Sequence, residues 1–457
     1  MNQRCKSILR FSRVIVMLCA VGIVSPSQVF TSLAEFNGTN GSGPAASLVE
    51  GIAAQMYGST EYGGNPYNSG TIFRISPSGI FTSLLTLNNP LGCAYPAAAL
   101  LLAPNRLLYG TAIGRGEGNV FSITPVGALT TLHSFDDTDG VAPEGGLVQA
   151  FNGMLYGTTN QGGTNQDGTI FKMTPDGALT TMHNFTGSDG AFPAAGLVQA
   201  SNGLLYGTTW KGGANNYGTI FAISLGGVFT TLYSFSGGAD SGFPYAALIQ
   251  GNDGNLYGTA EGAHNNGTVF RITPAGALTT LHTFDQTDGS APLATLVQGT
   301  DGNFYGATFL GGAGGEGEIF RITPSGDLTI VYSFGGTGGN EPVGGLVQHT
   351  DGAFYGTTSS GGSSLNGTIY RLSMGLQPFV KTLPAYGEVG STVTILGSSL
   401  NNATITGVTF NGTAAAFTDL GQEGLTAIVP AGATTGPVRV TTSTGTLSSN
   451  TAYQVLP

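Results

Sequence analysis

The dipeptide Tyr-Gly recurs at Tyr57, Tyr109, Tyr156, Tyr206, Tyr257, Tyr305 and Tyr355, with successive spacings of 52, 47, 50, 51, 48 and 50 residues. Self-similarity at this period means that one small supersecondary unit is reused, and that stacked neighbours bury the apolar surface a single unit leaves exposed. The fullest copy, residues 196–235, reads GLVQASNGLLYGTTWKGGANNYGTIFAISLGGVFTTLYSF. It divides into four short strands, A to D, around Leu197–Gln199, Leu204–Thr209, Thr219–Ser224 and Val228–Phe235. Asn-Gly or Asp-Gly fills the A–B turn, and both residues tolerate positive φ. Pro-x-Gly, as in Pro175-Asp176-Gly177, fills most C–D turns. Strand C is apolar on both faces (Ile170, Phe171, Met173), as expected of small sheets stacked face to face.

Spacing separates rigid from variable parts. From the strand-C aromatic to the end of strand D is 14 residues in every complete unit, from Phe73–Leu87 to Phe320–Phe334, and a Pro lies 13 residues before every repeat Tyr. The B–C loop carries most of the change in length, as solvated backbone can, while the D–A connection is held nearly constant. The seventh unit lacks strand D after Gly367–Leu372, whereas VFTSLAEF (Val29–Phe36) matches VFTTLYSF (Val228–Phe235) at five of eight positions. A repeat split between the chain ends predicts a closed ring, because closure pairs an edge that an open stack would expose. Burying Val29, Phe30, Leu33 and Phe36 there is worth roughly 8 kcal/mol, at about 2 kcal/mol each. The expected fold is therefore all-β: a seven-bladed β-propeller over residues 28–375, closed by an N-terminal outer strand.

The first 27 residues read as a signal peptide. Arg4, Lys6, Arg10 and Arg13 precede the apolar run Val14–Val24, which is too short to span a bilayer, and Ser25-Pro26-Ser27 supplies small residues for cleavage before Gln28. Leu18 precedes Cys19 where a lipoprotein signal needs a small residue. Export follows, to the periplasm, the cell surface or the medium, with no stable membrane span after cleavage. The net charge of −11 becomes −15, because four bases and no acid leave with the signal. So acidic a chain repels phosphate backbones, which argues against nucleic acid as a partner. Cys93 alone remains, leaving neither an internal disulfide nor a thiolate metal site.

The YGTT…GG…GTIF unit over residues 29–373 resembles the Gloeo–Verruco (GloVer) tandem repeat of exported bacterial proteins, a resemblance that implies no particular activity. Past Leu376 the pattern changes to six or seven short strands in about 80 residues, a β-sandwich signature. The Gly-Ser-Thr-Val-Thr-Ile run, Phe410-Asn411-Gly412, Val429-Pro430 and Tyr453 resemble an IPT/TIG domain, which implies an immunoglobulin-like β-sandwich over residues 376–457 serving as spacer or interaction module.

Catalytic motifs are missing: there is no phosphate-binding loop, HExxH or GxSxG. His133, His183 and His282 share a strand-D position that also accepts Tyr and Leu, which marks packing rather than proton transfer; His264 and His349 are isolated. Gln149, Gln199, Gln250, Gln298 and Gln348 lie seven residues before the repeat Tyr, either as a ring of amides at the channel or, the favoured reading, bonded to neighbouring backbone. Acids after strand D, such as Asp136, Asp139, Asp285 and Asp288, match turn chemistry better than a calcium loop. No cofactor is therefore expected, with calcium the weaker alternative. Because strand direction alternates, the B–C and D–A loops share one face of the ring. Trp210, beside Lys211, and Tyr62 and Tyr67 lie in B–C loops there, as candidate binding residues for an extracellular glycan or protein; the competing role is packing on the adjacent blade. The expectation is an exported, non-catalytic binding or scaffold protein. A propeller-fold polysaccharide hydrolase or lyase, and a purely structural surface protein, are the alternatives.

Overall fold

A computed structural model describes residues 28–457 apart from 65, 88–92, 115, 263–265, 401–402 and 422–423. The proposed signal peptide and His264 lie outside the described residues. The described residues are all-β, with only short 3-10 turns besides their strands, and no described helix is long and apolar enough to cross a membrane.

Residues 29–373 form seven four-stranded antiparallel sheets, numbered here in the order of their Tyr-Gly dipeptides. Each is a meander A-B-C-D, with strand A only two residues long, as in Val198–Gln199, Leu205–Thr209, Thr219–Ile223 and Phe229–Ser234 of sheet 4. The strands are shorter than the sequence reading by a residue or more: Val228 is 73% exposed and belongs to the C–D turn. Strand D carries a bulge opposite Ile220/Phe221, repeated in the other sheets, which bends the outer strand.

The repeat motif has a contact for each residue. In Tyr-Gly, a Cβ on Gly157 would sit 2.6 Å from the Phe171 ring and 2.9 Å from Leu147, so only glycine lets the strand-C aromatic lie across strand B. The tyrosine is buried, and in sheets 2 to 7 its hydroxyl bonds the Asn or Asp of its own A–B turn: Asn152 to Tyr156 at 2.9 Å, Tyr257 to Asp253 at 2.8 Å. The last Thr of Tyr-Gly-Thr-Thr meets the Thr of Gly-Thr-Ile-Phe, as in Thr209–Thr219 at 2.8 Å. The preceding Thr donates to the next sheet: Thr158 to the Ala195 carbonyl at 2.9 Å, and Thr208 to Ala246 at 3.3 Å.

The same bond crosses the chain ends. Thr357 of sheet 7 donates to the Ala46 carbonyl of sheet 1 at 3.2 Å. Val29–Glu35 supplies the outer strand of sheet 7, antiparallel to Thr368–Ser373, with Phe30 opposite Leu372. This closing strand works on both neighbours. Phe30 stacks on Tyr332 of sheet 6 at 3.7 Å, while Phe36 packs against Phe73 of sheet 1 at 5.3 Å. One expected anchor is not buried: Val29, the first residue of the strand, is 46% exposed.

Residues 381–456 build two further four-stranded sheets, of strand order 381–383, 392–396, 425–428, 417–419 and 413–415, 405–410, 438–442, 445–448, with a parallel pair 386–388/454–456. Val438–Thr442 alternates buried and exposed residues, and Val393, Ile395, Phe410, Val440 and Tyr453 share one core. Segment 379–386 runs along the A–B turn side of the first unit. Phe379 donates its N–H to the Thr350 carbonyl of sheet 7, and the Tyr386 hydroxyl donates to Ala150 of sheet 3 at 2.7 Å.

Candidate functional site at the channel mouth

The strand-A ends leave a cavity of about 790 Å³, joined by a second of about 540 Å³ through Glu144, Ala194, Tyr245 and Leu293, which line both. The deeper wall is mostly Ala and Gly, with Ser47, Thr295 and leucines such as Leu100 and Leu147 among them. A Cβ on Gly145 would stand 2.6 Å from the Ala195 carbonyl, and one on Gly344 would stand 2.7 Å from that of Ala46. Neighbouring backbones approach too closely here for larger side chains.

The mouth is set by two positions of the repeat. The residue after the repeat Pro, 12 before the Tyr, is Ala at 45, 97 and 194, and then Leu293, Val343, Glu144 and Tyr245. The residue four after the Tyr is Glu at 61 and 261, and elsewhere Ile113, Asn160, Trp210, Phe309 or Ser359. All fourteen line one cavity or the other. The units agree closely in their strands and disagree at these two places.

Backbone geometry holds both positions still. The residue before the repeat Pro is left-handed in every unit, including bulky Tyr95 (φ 58°), Phe192 (φ 56°) and Phe243 (φ 57°). That conformation is costly for a side-chain-bearing residue and persists only where both its polar groups are tied down. Phe192 donates its N–H to Asp167 of the preceding sheet at 2.9 Å and accepts the Trp210 N–H at 3.1 Å. The same pair of bonds recurs at Phe243, between Tyr217 and Glu261. D–A and B–C segments therefore pair side by side, with bridges such as Ser42–Tyr62 and Ala191–Lys211, and share one face as the alternation of strand direction required.

The electrostatics of the mouth are acidic. Burial, and then the charge of Glu61, push the Glu144 carboxyl up to about 7. Asn160 Nδ2 donates to Glu144 at 3.2 Å. Tyr245, 37% exposed, is raised to about 12 by burial and by the charges of Glu144, Glu61 and Glu261, in that order. Tyr62 rises to about 12 through its hydrogen bond to Glu61, burial, and the Glu61 charge. Lys211 Nζ lies 4.4 Å above the Trp210 ring, a cation–π contact, and Trp210 Nε1 is buried without a hydrogen-bond partner.

The Gloeobacter/Verrucomicrobia repeat profile matches residues 21–153, 112–298 and 251–419, together most of the chain. This protein is a member of the Gloeobacter/Verrucomicrobia repeat family. Among solved structures, this repeat protein is similar to virginiamycin B lyase from Staphylococcus aureus: 18% identity, TM-score 0.54, covering 76% of this chain and 99% of that one. It is similar also to the periplasmic gluconolactonase of Pseudomonas aeruginosa (18% identity, 63% and 84% covered, TM-score 0.46). A third is a gluconolactonase from Xanthomonas campestris (11%, 76% and 90%, TM-score 0.42). At these identities the likeness extends to the β-propeller fold alone. No curated protein matches significantly.

Of the sequence candidates, Tyr62 and Trp210 line the mouth, and both also pack on the next sheet, against Tyr95 and Phe243 at 5.7 Å each. Tyr67 does not join them: it is 46% exposed in the same loop as Tyr62 and lines neither cavity, because the loop carries it outward. Lys211 joins the second cavity. Glu61, Glu144, Tyr245 and Glu261 were not among the candidates. Aligning the seven units on their Tyr places them at positions that vary from unit to unit, as several others do. The glutamine ring is not at the mouth. Gln199 donates to Gly203 of its own A–B turn at 3.1 Å and accepts the Phe151 N–H of the preceding turn at 2.8 Å, on the opposite face. The strand-D histidines pair with acids of the D–A connection, at 2.8 Å for His133–Asp139 and 2.7 Å for His282–Asp288. Their acids shape turns: Asp139 Oδ1 accepts the Asp136 N–H at 2.9 Å.

Proposed function

We propose that this is an exported binding protein: a seven-bladed propeller closed by its N-terminal strand, which takes a polyhydroxylated ligand, an extracellular glycan or a fragment of one, into the mouth on the B–C/D–A face. One observation carries the reading. Seven units that keep their strands, turns and prolines differ from one another at the fourteen positions facing the mouth. Unlike the strand-D position, where varied side chains pack on the sheet, these fourteen all face one opening. The side chains placed there suit a sugar: Trp210, Tyr245 and Tyr62 offer ring faces, and Glu144, Glu261, Asn160, Gln161 and Lys211 offer hydrogen bonds. Three glutamates against Lys211 disfavour anionic ligands. No cofactor enters this reading. Residues 376–457 are read as an immunoglobulin-like sandwich of the IPT/TIG kind, which suits the two sheets around one core.

A catalytic reading draws on Glu144. A carboxyl near neutral pKa beside a second, ionised one is the pairing a hydrolase or lyase uses as acid and base. No described histidine lines either cavity.

A glycan array on the mature protein, with Trp210→Ala, Tyr245→Ala and Glu144→Gln, tests both. The expected result is binding lost on removal of either aromatic ring, with the glycan recovered intact. Cleaved product that disappears with Glu144→Gln makes the protein an enzyme instead. Wild type that binds nothing, or aromatic variants that bind as wild type does, ends the mouth hypothesis.

A further inference from the structure

The junction between sheets 7 and 1 is built differently from the four between sheets 3 and 7, independently of any ligand. Between sheets 3 and 4, 4 and 5, 5 and 6, and 6 and 7, a neutral glutamine spans the gap. Its Oε1 accepts an N–H from the preceding A–B turn (2.8–3.0 Å) and its Nε2 donates to its own turn (2.9–3.2 Å). Between sheets 7 and 1 the residue is Glu50. It accepts the N–H and hydroxyl of Thr350 but has no proton to donate, and it carries a charge with its side chain 2% exposed. A buried carboxylate needs a counter-charge. His349, fully buried, stands 3.3 Å away, and Lys381 Nζ lies 2.9 Å from Oε2 and 2.6 Å from the Gln348 carbonyl.

Lys381 belongs to the C-terminal unit. That unit makes two more bonds to the same turn: the Phe379 N–H donates to the Thr350 carbonyl at 3.1 Å, and the Ser398 N–H to the Thr350 hydroxyl at 2.8 Å. Its connecting segment brings Met374 and Leu376 against the cluster that holds Phe30 of the closing strand. The contact falls on sheet 7, whose outer strand has no chain link to the strand beside it.

We infer that residues 376–457 act as a clasp on the closing junction, with Lys381 as the counter-charge that Glu50 requires. The partner surface is the A–B turn of sheet 7 together with Glu50. Replacing the standard glutamine by glutamate makes that junction dependent on the C-terminal unit, so the ring is fully closed only when the unit is docked.

A double-mutant cycle on the mature full-length chain tests this, using Lys381→Met, Glu50→Gln, both together, Lys381→Arg and Tyr386→Phe. Urea midpoints and amide hydrogen exchange are read for each. Lys381→Met is expected to lower the midpoint and to speed exchange at Phe30–Glu35 by ten-fold or more, while sheets 3 to 5 keep their rates. Glu50→Gln, which installs the residue used at the four junctions between sheets 3 and 7, is expected to bring the double variant back toward wild type. Lys381→Arg keeps the charge and holds the closing strand. Tyr386→Phe loses the bond to Ala150 without touching the junction and leaves that strand's exchange unchanged. Wild-type exchange in Lys381→Met, a double variant as weak as the two singles combined, or acceleration spread evenly over all seven sheets would overturn the clasp. So would Lys381→Arg behaving as Lys381→Met does.

Discussion

Removing residues 28–36 tests ring closure directly, and the structure sets the size of the effect. Three side chains of that segment leave apolar surroundings. Phe36 is 1% exposed against Phe73 and Phe81, Leu33 packs in the same cluster, and Phe30 lies between Tyr332, Phe334 and Tyr370. At about 2 kcal/mol each they are worth roughly 6 kcal/mol. Val29, 46% exposed, drops out of the sum that the sequence alone suggested. The loss also strips six paired positions from Thr368–Ser373 and leaves a bare edge. Net stabilities run to about 5–15 kcal/mol, so the truncated propeller should be unfolded or insoluble at room temperature. Point variants grade the same quantity: Phe36→Ala should cost about 3–5 kcal/mol, and Val29→Ala under about 0.5 kcal/mol. Urea unfolding followed by circular dichroism gives the midpoints, and sedimentation gives the soluble fraction. A truncated protein whose unfolding curve superimposes on that of the mature chain would refute closure by this strand. Equal losses from Val29→Ala and Phe36→Ala would refute the burial argument behind it.

Two further outcomes follow from the mouth. Folded Glu144 keeps its proton to about pH 7, whereas an unfolded glutamate releases it near 4.5. The folded state therefore binds the extra proton in between, and stability falls as pH rises through that window. Glu144→Gln should remove a slope worth on the order of 2 kcal/mol, after allowing for solvent in the open mouth, measured as urea midpoints at pH 4.5 and 8; an unchanged slope would deny the shift. Gly145→Val places a side chain 2.6 Å from the Ala195 carbonyl and should cost about 1–3 kcal/mol. Ala194→Val, one step from the deep wall at a position that already accepts Leu293 and Val343, should cost under about 0.5 kcal/mol in the same titration.

The pairing of the N-terminal strand with Thr368–Ser373 was legible because it rests on counting: an octapeptide near the start matches a strand missing near residue 373, and hydrophobic identity carries that information. Strand limits were less so. Val228 looked like the start of strand D because it is apolar, but the Pro-x-Gly-type turn before it extends one residue further and leaves it in solvent. Glu50 stands where five other units have glutamine, and its meaning depends on Lys381, 331 residues away, which no local pattern connects to it. Trp210 was found as a rare residue type in a variable loop. Tyr67 was chosen by the same reasoning but lines neither cavity, because loop length alone does not say which way a side chain faces. Glu144 and Tyr245 hid for the opposite reason: they follow the repeat Pro, in the part of the unit where spacing is most regular, and regular spacing reads as structural.

That last point explains how a repeat fold acquires a site. At the mouth the main chain supplies its own fixings. The left-handed residue before the Pro bonds the preceding sheet through its N–H and the B–C segment through its carbonyl, whatever its side chain, from Gly43 to Phe243. The side chains just after the Pro and four after the Tyr are thereby released from structural duty. One position accepts Ala, Glu, Tyr, Leu and Val, and the other accepts Glu, Ile, Asn, Trp, Phe and Ser, without any strand moving. One residue deeper, backbones touch and only small residues fit. Apart from the B–C loops and the outer strand-D position, the freedom to vary thus falls on side chains facing one opening, where differences among the units act on whatever enters the channel.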